Sequence, residues 1–366
     1  MPTTGVRRVA SLSAAIASDL GNVRLENQDR AAISHGWDRH GREYALVAVA
    51  DGIGGMQNGG TCAAMTVSVF IAAVDQCAQD TGNSSDHSED WLRESVHAAN
   101  QAVFTKFRAI GGSTLVALLL RPGSPPYWLS VGDSRVYCIE EKALTQISID
   151  DTIAGQLGKG PAEAFEQSRL LQFVGMGADL EPHIDKLDPG TAGAVLLTTD
   201  GVHYLAASPG WLDHIVHHAP DPGVCVKRLV DLAKWCGGPD NATVAMITLP
   251  LAMQSEPQPS YPCLEVWDAY GELQIVSPVL AKEHSNLLGG SVTTSRTRVP
   301  NTPSAPLLEP AIDEHSGPHV PEQSKSRRGK APRKPKKSAD KQSKNPDRLT
   351  EAELPQLHME FPTKSS

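Results

Sequence analysis

Three short apolar segments of this chain meet an aspartate where they leave the core. Val47–Gly52 runs into Asp51-Gly52, Val195–Gly201 runs into Asp200-Gly201, and Asp240-Asn241 directly precedes Ala242–Leu249. A fourth acid, Asp29, closes the segment Val23–Asp29. Runs of this length, rich in β-branched residues and bounded by turn residues, read as buried strands. Further strands are expected at Val9–Ala17, Tyr44–Ala50, Thr114–Leu120, Tyr127–Val131, Arg135–Ile139, Ala194–Thr199 and Thr243–Leu249. Helical periodicity marks Gly60–Gln79, Asp90–Ala109 and Pro222–Cys236, the last with Asp221 as N-cap, Pro222 in its first turn and Gly237 beyond its end. The helices come in pairs separated by several strands. That excludes a doubly wound parallel sheet and predicts an α+β fold of antiparallel sheets covered by helices.

Taken singly, each Asp-Gly is a turn signal. Together, carboxylates at several strand ends converge on one rim, where they repel one another unless cations lie between them. All-oxygen donors point to Mg²⁺ or Mn²⁺ and away from zinc or copper. Two such ions roughly 3.5–4 Å apart acidify a shared water and clamp a phosphoryl group, so metal-assisted hydrolysis of a phosphate ester is the leading reaction class. Gly111–Thr114 (GGST) reads as a loop and strand start. Asp133, on the turn of Val131–Arg135 (VGDSR), is open to an Asx turn or a metal role, and Arg24 to a phosphate fork or a solvated surface position.

Charge and composition narrow the alternatives. The chain has a net charge of -9, but residues 324–345 hold ten Lys/Arg against one acid, so the remaining chain carries 23 basic against 41 acidic side chains. An acidic body argues against nucleic acid as the ligand. No unbroken run of 18 apolar residues occurs, so no membrane partner is expected. Arg7 and Arg8 before Val9–Ala17 imitate a secretory signal, but Ser11 and Ser13 dilute the stretch, which reads instead as the first strand. The six cysteines never form a CxxC pair, which fits a reducing cytoplasm. We expect a catalytic domain over 1–252, a linker and short hairpin over 253–281 (261–277 for the hairpin itself), and a disordered Pro/Ser/Lys-rich tail over 282–366 with its basic run at 324–345. The hairpin is too small to stand alone and should dock on the body or on a partner, with Trp267 as a candidate partner contact. The other tryptophans, 91, 128, 211 and 235, read as core, and His214–His218 (HIVHH) as a helix face.

The ordered series RLENQD, VADGIGG, GGSTL, VGDSRVY, LLTTDG and DNATV, spread over about residues 8–250, resembles the metal-dependent protein phosphatase 2C family of serine/threonine phosphatases in its bacterial form. The resemblance implies a β-sandwich of two antiparallel sheets flanked by helix pairs, with a dinuclear Mn²⁺ or Mg²⁺ centre and a weaker third ion. Asp51 would bridge the two metals, the Gly52 carbonyl would bind one, and Asp200 and Asp240 would hold the other. Asp29 would act through water, Asp133 would serve the third ion, Arg24 would grip the substrate phosphate, and Asn241 would aim Asp240. The implied reaction is hydrolysis of phosphoserine and phosphothreonine in proteins by a metal-bridging hydroxide, opposite a serine/threonine kinase. The alternative is a pseudophosphatase scaffold that binds phosphoproteins or a kinase through hairpin and tail.

Some positions depart from the family. Gln28 replaces a common Glu, which predicts weaker metal affinity. Ile53 stands where animal members carry a histidine proposed as general acid, so a metal-bound water or another donor has to protonate the leaving oxygen. The usual Asp-His-Ser after the Leu-Thr pair becomes Asp150-Asp151, and the flap, Ala154–Leu180, keeps only a loose echo of the pattern.

Overall fold

The computed structural model describes residues 4–53, 58–80, 87–141, 143–156, 170–188, 190, 192–204, 210–250 and 264–270, with the backbone of 273–276. The predicted tail and the basic run at 324–345 lie outside these residues.

The strands are β1 (Thr4–Val9), β2 (Ala14–Asp19), β3 (Arg30–Trp37), β4 (Glu43–Ala50), β5 (Leu115–Leu120), β6 (Tyr127–Val131), β7 (Arg135–Ile139), β8 (Leu144–Gln146), β9 (His183–Lys186), β10 (Ala194–Thr198), β11 (Ala242–Thr248), β12 (Leu264–Asp268) and β13 (Leu273–Val276). They form two antiparallel sheets, a six-stranded one ordered β1-β2-β11-β10-β7-β8 and a seven-stranded one ordered β13-β12-β3-β4-β5-β6-β9. The long helices are α1 (Gly59–Asp80) and α2 (Ser88–Phe107); α3 (Ile153–Gln156) and α4 (Asp200–His203) are single turns, followed by α5 (Gly210–His217) and α6 (Pro222–Trp235).

Burial on both faces explains why the central strands read as continuous apolar runs. In β4, Ala45, Val47 and Val49 point between the sheets and pack with Ile16, Val116, Val195 and Ile247. The alternate residues Tyr44, Leu46 and Ala48 meet Phe70, Trp91 and Leu92 of the α1/α2 pair. On the far side, Ala15, Leu196 and Val244 meet Val226 and Leu229 of α6. Leu212 and Val216 of α5 share that cluster, so the order is helix pair, sheet, sheet, helix pair, as expected. By length and a mean hydropathy of 1.5, α1 could cross a bilayer, but its apolar stripe is the one packed into this core.

Several expectations change. Val9–Ala17 is not one strand: Ala10–Leu12 form a short 3-10 turn, Ser13 is left-handed at φ 47°, and β1 folds back on β2 with Val9 opposite Ala14. The strand β3 was not legible, because Arg30, Ser34, His35 and Gly36 interrupt its apolar pattern; β4 and β12 pair with its two edges and bury it. The hairpin joins this sheet, and Trp267, suggested as a partner contact, is only 9% exposed within the inter-sheet core. Trp235, expected in the core, is 82% exposed, because it leaves the α6 stripe of Val226, Leu229, Val230 and Ala233 at the last turn. The α6 start follows the sequence expectation: the Val224 N–H donates to Asp221 Oδ1 at 2.9 Å, with Pro222 in the first turn.

Candidate active site

Both sheets end their central strands on the same rim. Asp51 follows β4, Asp29 precedes β3, and Asp133 sits in the β6–β7 turn, where Gly132 takes φ 96°. Asp200 opens α4 directly after β10, and Asp240-Asn241 leads into β11. Close backbone approach makes two glycines indispensable. A Cβ on Gly52 would stand 2.3 Å from the Gly59 carbonyl carbon, and one on Gly201 would stand 1.8 Å from the Asn241 carbonyl oxygen. These contacts hold the Asp51 and Asp200 loops against their neighbours.

The acids sense one another. Burial, then repulsion from Asp29, Asp200, Asp133 and Asp240, drives the Asp51 carboxyl well above its ordinary range. Burial lifts Asp29 to about 7, with Asp200 adding to the rise and the Thr243 and Thr199 hydroxyls opposing it. Burial and repulsion from Asp200 bring Asp133 to about 8. Asp200 rises to about 6 through burial and Asp240, against a hydrogen bond from Asp51.

A frame of hydroxyl and amide groups, not anticipated from sequence, holds these acids. Thr199 Oγ1 donates to Asp29 Oδ2 at 2.9 Å and accepts from the Thr243 N–H at 3.0 Å. Thr243 and Ser18 share a hydroxyl hydrogen bond of 2.8 Å, and Asn27 Nδ2 donates to Ser18 Oγ at 2.9 Å. The ring closes where the Asp29 N–H donates to Asn27 Oδ1 at 3.0 Å. GGST, read as a plain strand start, belongs to the frame: Thr114 Oγ1 accepts from the Asp51 N–H at 2.9 Å and bonds Ser134 Oγ at 2.7 Å. The signal available in sequence was the Ser or Thr close to three of the acids, Ser134 beside Asp133, Thr199 beside Asp200 and Thr243 shortly after Asp240. Asn241 ties three segments together: it accepts from the Gln28 N–H and donates to the carbonyls of Leu20 and Glu26.

Divalent cations fit this donor set. Asp29 Oδ1 and Asp200 Oδ1 are buried without a hydrogen-bond partner, a state that costs free energy unless a cation or water engages them. Among the described residues no three His, Cys, Asp or Glu side chains already form a metal-holding cluster. Asp51 lies within hydrogen-bonding reach of Asp29 and Asp200, and water and main-chain carbonyls would complete the shells of hard cations held there. Their raised values carry a sign. The folded protein without metal holds protons that the unfolded chain, with carboxyls near 3.8, has already released. Its stability therefore falls as pH rises through about 6 to 8. In EDTA the melting temperature should drop between pH 5.5 and 8.5, and Mn²⁺ should stabilise more at the higher pH. Equal Mn²⁺ shifts at both pH values would contradict this.

At the rim, Arg24 Nη2 donates to Asp240 Oδ2 at 2.6 Å, both side chains partly exposed. Asp150, at a departure from the family pattern, takes a bidentate pair from Arg135, with Nη2 to Oδ2 at 2.7 Å. Asp151, buried, accepts from the Gly132 N–H at 2.9 Å and from Gln172 at 3.0 Å, and pairs with His183 at 2.8 Å, so it braces the turn that carries Asp133. Flap residues 157–169 lie outside the described residues; beyond them, Val174 bridges Ser113, which in turn bridges Gly52. His217 and His218 bond carbonyls of their own helix, consistent with a helix face.

The protein phosphatase 2C family profile matches residues 22–229. Serine/threonine protein phosphatase PstP of Mycobacterium tuberculosis (strain H37Rv) is 28% identical over 246 residues, which cover 63% of this chain and 44% of that protein, so the chain spans less than half of that relative's length. Serine/threonine phosphatase stp of Listeria monocytogenes serovar 1/2a is 24% identical over 248 residues, covering 64% of this chain and 95% of that protein. Among solved structures, the PPM Ser-Thr phosphatase MsPP of Mycobacterium smegmatis, in complex with cacodylate, superposes with a TM-score of 0.54 at 31% identity, covering 65% of this chain and 98% of that one. The catalytic domain of PstP, solved with 2 manganese ions, gives a TM-score of 0.51 at 27% identity, covering 67% of this chain and 99% of that one.

Proposed function

The chain belongs to the protein phosphatase 2C family, and from that premise we propose that it hydrolyses phosphoserine and phosphothreonine in proteins with the help of divalent metal ions. The observation that carries this reading is the gathering of Asp29, Asp51, Asp133, Asp200 and Asp240 on one rim, with buried carboxylate oxygens left unengaged. In the proposed assignment Asp51 would hold both ions, the Gly52 carbonyl would bind one of them, and Asp200 and Asp240 would hold the other. Asp29 acts through water, and Asp133 serves a weaker third ion. When bound, a Mn²⁺ or Mg²⁺ pair would supply hydroxide at neutral pH and offset the charge of the phosphate.

The chain's own residues do the rest. Arg24 would hold the equatorial phosphate oxygens with the guanidinium that now pairs with Asp240; with Asp240 engaged as a metal ligand, those N–H groups would be left to the substrate. Asn241 keeps Asp240 in register by donating its N–H to Asp240 Oδ1 at 2.8 Å. Ile53 brings no proton donor, so the leaving alkoxide depends on solvent at the site. The reading extends to phosphoprotein substrates, an opposing serine/threonine kinase and work in the cytoplasm, in keeping with five free thiols among the described residues. Burial of Trp267 in the body takes away one of the contacts available to the scaffold alternative.

The test is hydrolysis of a phosphothreonine peptide, active with Mn²⁺ and silent in EDTA; activity indifferent to chelation overturns the proposal. Arg24→Ala should raise KM by roughly tenfold or more, as expected for loss of a charged phosphate contact. An unchanged KM would remove Arg24 from substrate binding.

A further inference from the structure

The C-terminal hairpin lies beyond the residues that match the family profile, yet it touches the site. Its register against β3 sets Trp267 opposite Ile33 and Asp268 opposite Ala32, which carries the chain toward the start of β3 and hence toward Asp29. There the Tyr270 N–H donates to Asp268 Oδ1 at 2.9 Å, forming a local turn, and the Tyr270 ring lies against Gly5 of β1. A Cβ on Gly5 would stand 2.7 Å from Tyr270 Cδ1 and 2.7 Å from the Ala269 carbonyl oxygen, so only glycine admits the ring so closely. So held, the Tyr270 hydroxyl accepts a hydrogen bond from Asn27 Nδ2 at 2.9 Å.

Asn27 is the corner of the polar ring around Asp29. Its Nδ2 also donates to Ser18 Oγ, and its Oδ1 takes the Asp29 N–H. Both amide protons and the carbonyl are thus engaged, and the amide cannot turn without breaking the bond to Asp29. The loop it fixes also carries Arg24 and Gln28, whose carbonyl accepts the Gly52 N–H at 3.3 Å.

We propose that Tyr270 is a positioning residue: through Asn27 the C-terminal hairpin holds the loop that presents Asp29, and so sets the affinity of the metal site. This rests on the metal site proposed above. It makes the hairpin part of the active centre instead of an appendage to it.

The experiment is Mn²⁺ titration by calorimetry on the full chain, comparing wild type, Tyr270→Phe, Asn27→Ala and the double variant. Phe keeps the ring packed on Gly5 and removes only the hydroxyl. Tyr270→Phe should weaken Mn²⁺ binding by about three- to tenfold, the scale of one hydrogen bond. In the Asn27→Ala background the same change should have no further effect, because the link is already cut. Amide exchange at Asp29 should quicken in Tyr270→Phe. Wild-type affinity in Tyr270→Phe, or an equal loss in both backgrounds, overturns the inference, since a merely structural tyrosine would act without regard to Asn27. Binding is read without substrate: a wild type that takes up Mn²⁺ but hydrolyses no phosphopeptide defeats the proposed function and leaves this measurement to stand on its own. A wild type that takes up no Mn²⁺ overturns both.

Discussion

Asp200→Asn is expected to lower phosphopeptide hydrolysis on the order of a thousandfold, about 4 kcal/mol of transition-state stabilisation, while raising the melting temperature of the protein in EDTA. The opposite signs follow from one cause. Asp200 raises the carboxyl values of Asp29, Asp51 and Asp133 by repulsion, so without metal a neutral amide of the same shape relieves the cluster. With metal, the lost charge is the one a cation needs. The amide oxygen can still accept from the Gly201 N–H, as the carboxylate does, so the local turn survives. The fall of stability with pH in EDTA should also flatten in the variant. Retained activity, or a melting temperature in EDTA below that of wild type, would show that the acids do not act as a shared ion site.

Trp267→Ala should cost about 3–5 kcal/mol, the range for truncating a large buried aromatic. For a domain of this size that corresponds to a fall in melting temperature of about 10 °C. Trp267 is nearly buried between the sheets, and β12, which carries it, covers an edge of β3. Losing the side chain leaves a cavity and loosens the strand that shields the β3 backbone. A chain ending at residue 252 should be destabilised at least as much and expose β3 as a pairing edge. Thermal melting and limited proteolysis report both. Melting of Trp267→Ala within a degree of wild type would mean that the hairpin contributes no core.

Much of the fold is legible from residue pattern. Strands β6 and β7 fall where periodicity sets them, since Tyr127–Val131 and Arg135–Ile139 are short apolar runs bounded by turn residues. The start of α6 is equally local, written in Asp221-Pro222. The failures are non-local. Strand β3 is polar enough to look like a loop, and only its two partners make it a strand. Trp235 and Trp267 exchange their expected settings, because helix phase at a terminus and hairpin docking depend on what lies opposite in space.

The acids were visible because a carboxylate at the end of a buried strand is chemically conspicuous in one dimension. Their supports were not: Ser18, Asn27, Thr114, Thr199 and Thr243 are ordinary turn and strand residues until folding closes them into a hydrogen-bonded frame. Residue types and their local order determine which segments become strands, where each ends, and that oxygen ligands stand at those ends. The pairing of distant strands alone decides which ends share a rim, how strongly their charges repel, and that Tyr270 reaches Asn27, because electrostatic and hydrogen-bond energies depend on distance in space rather than on separation along the chain.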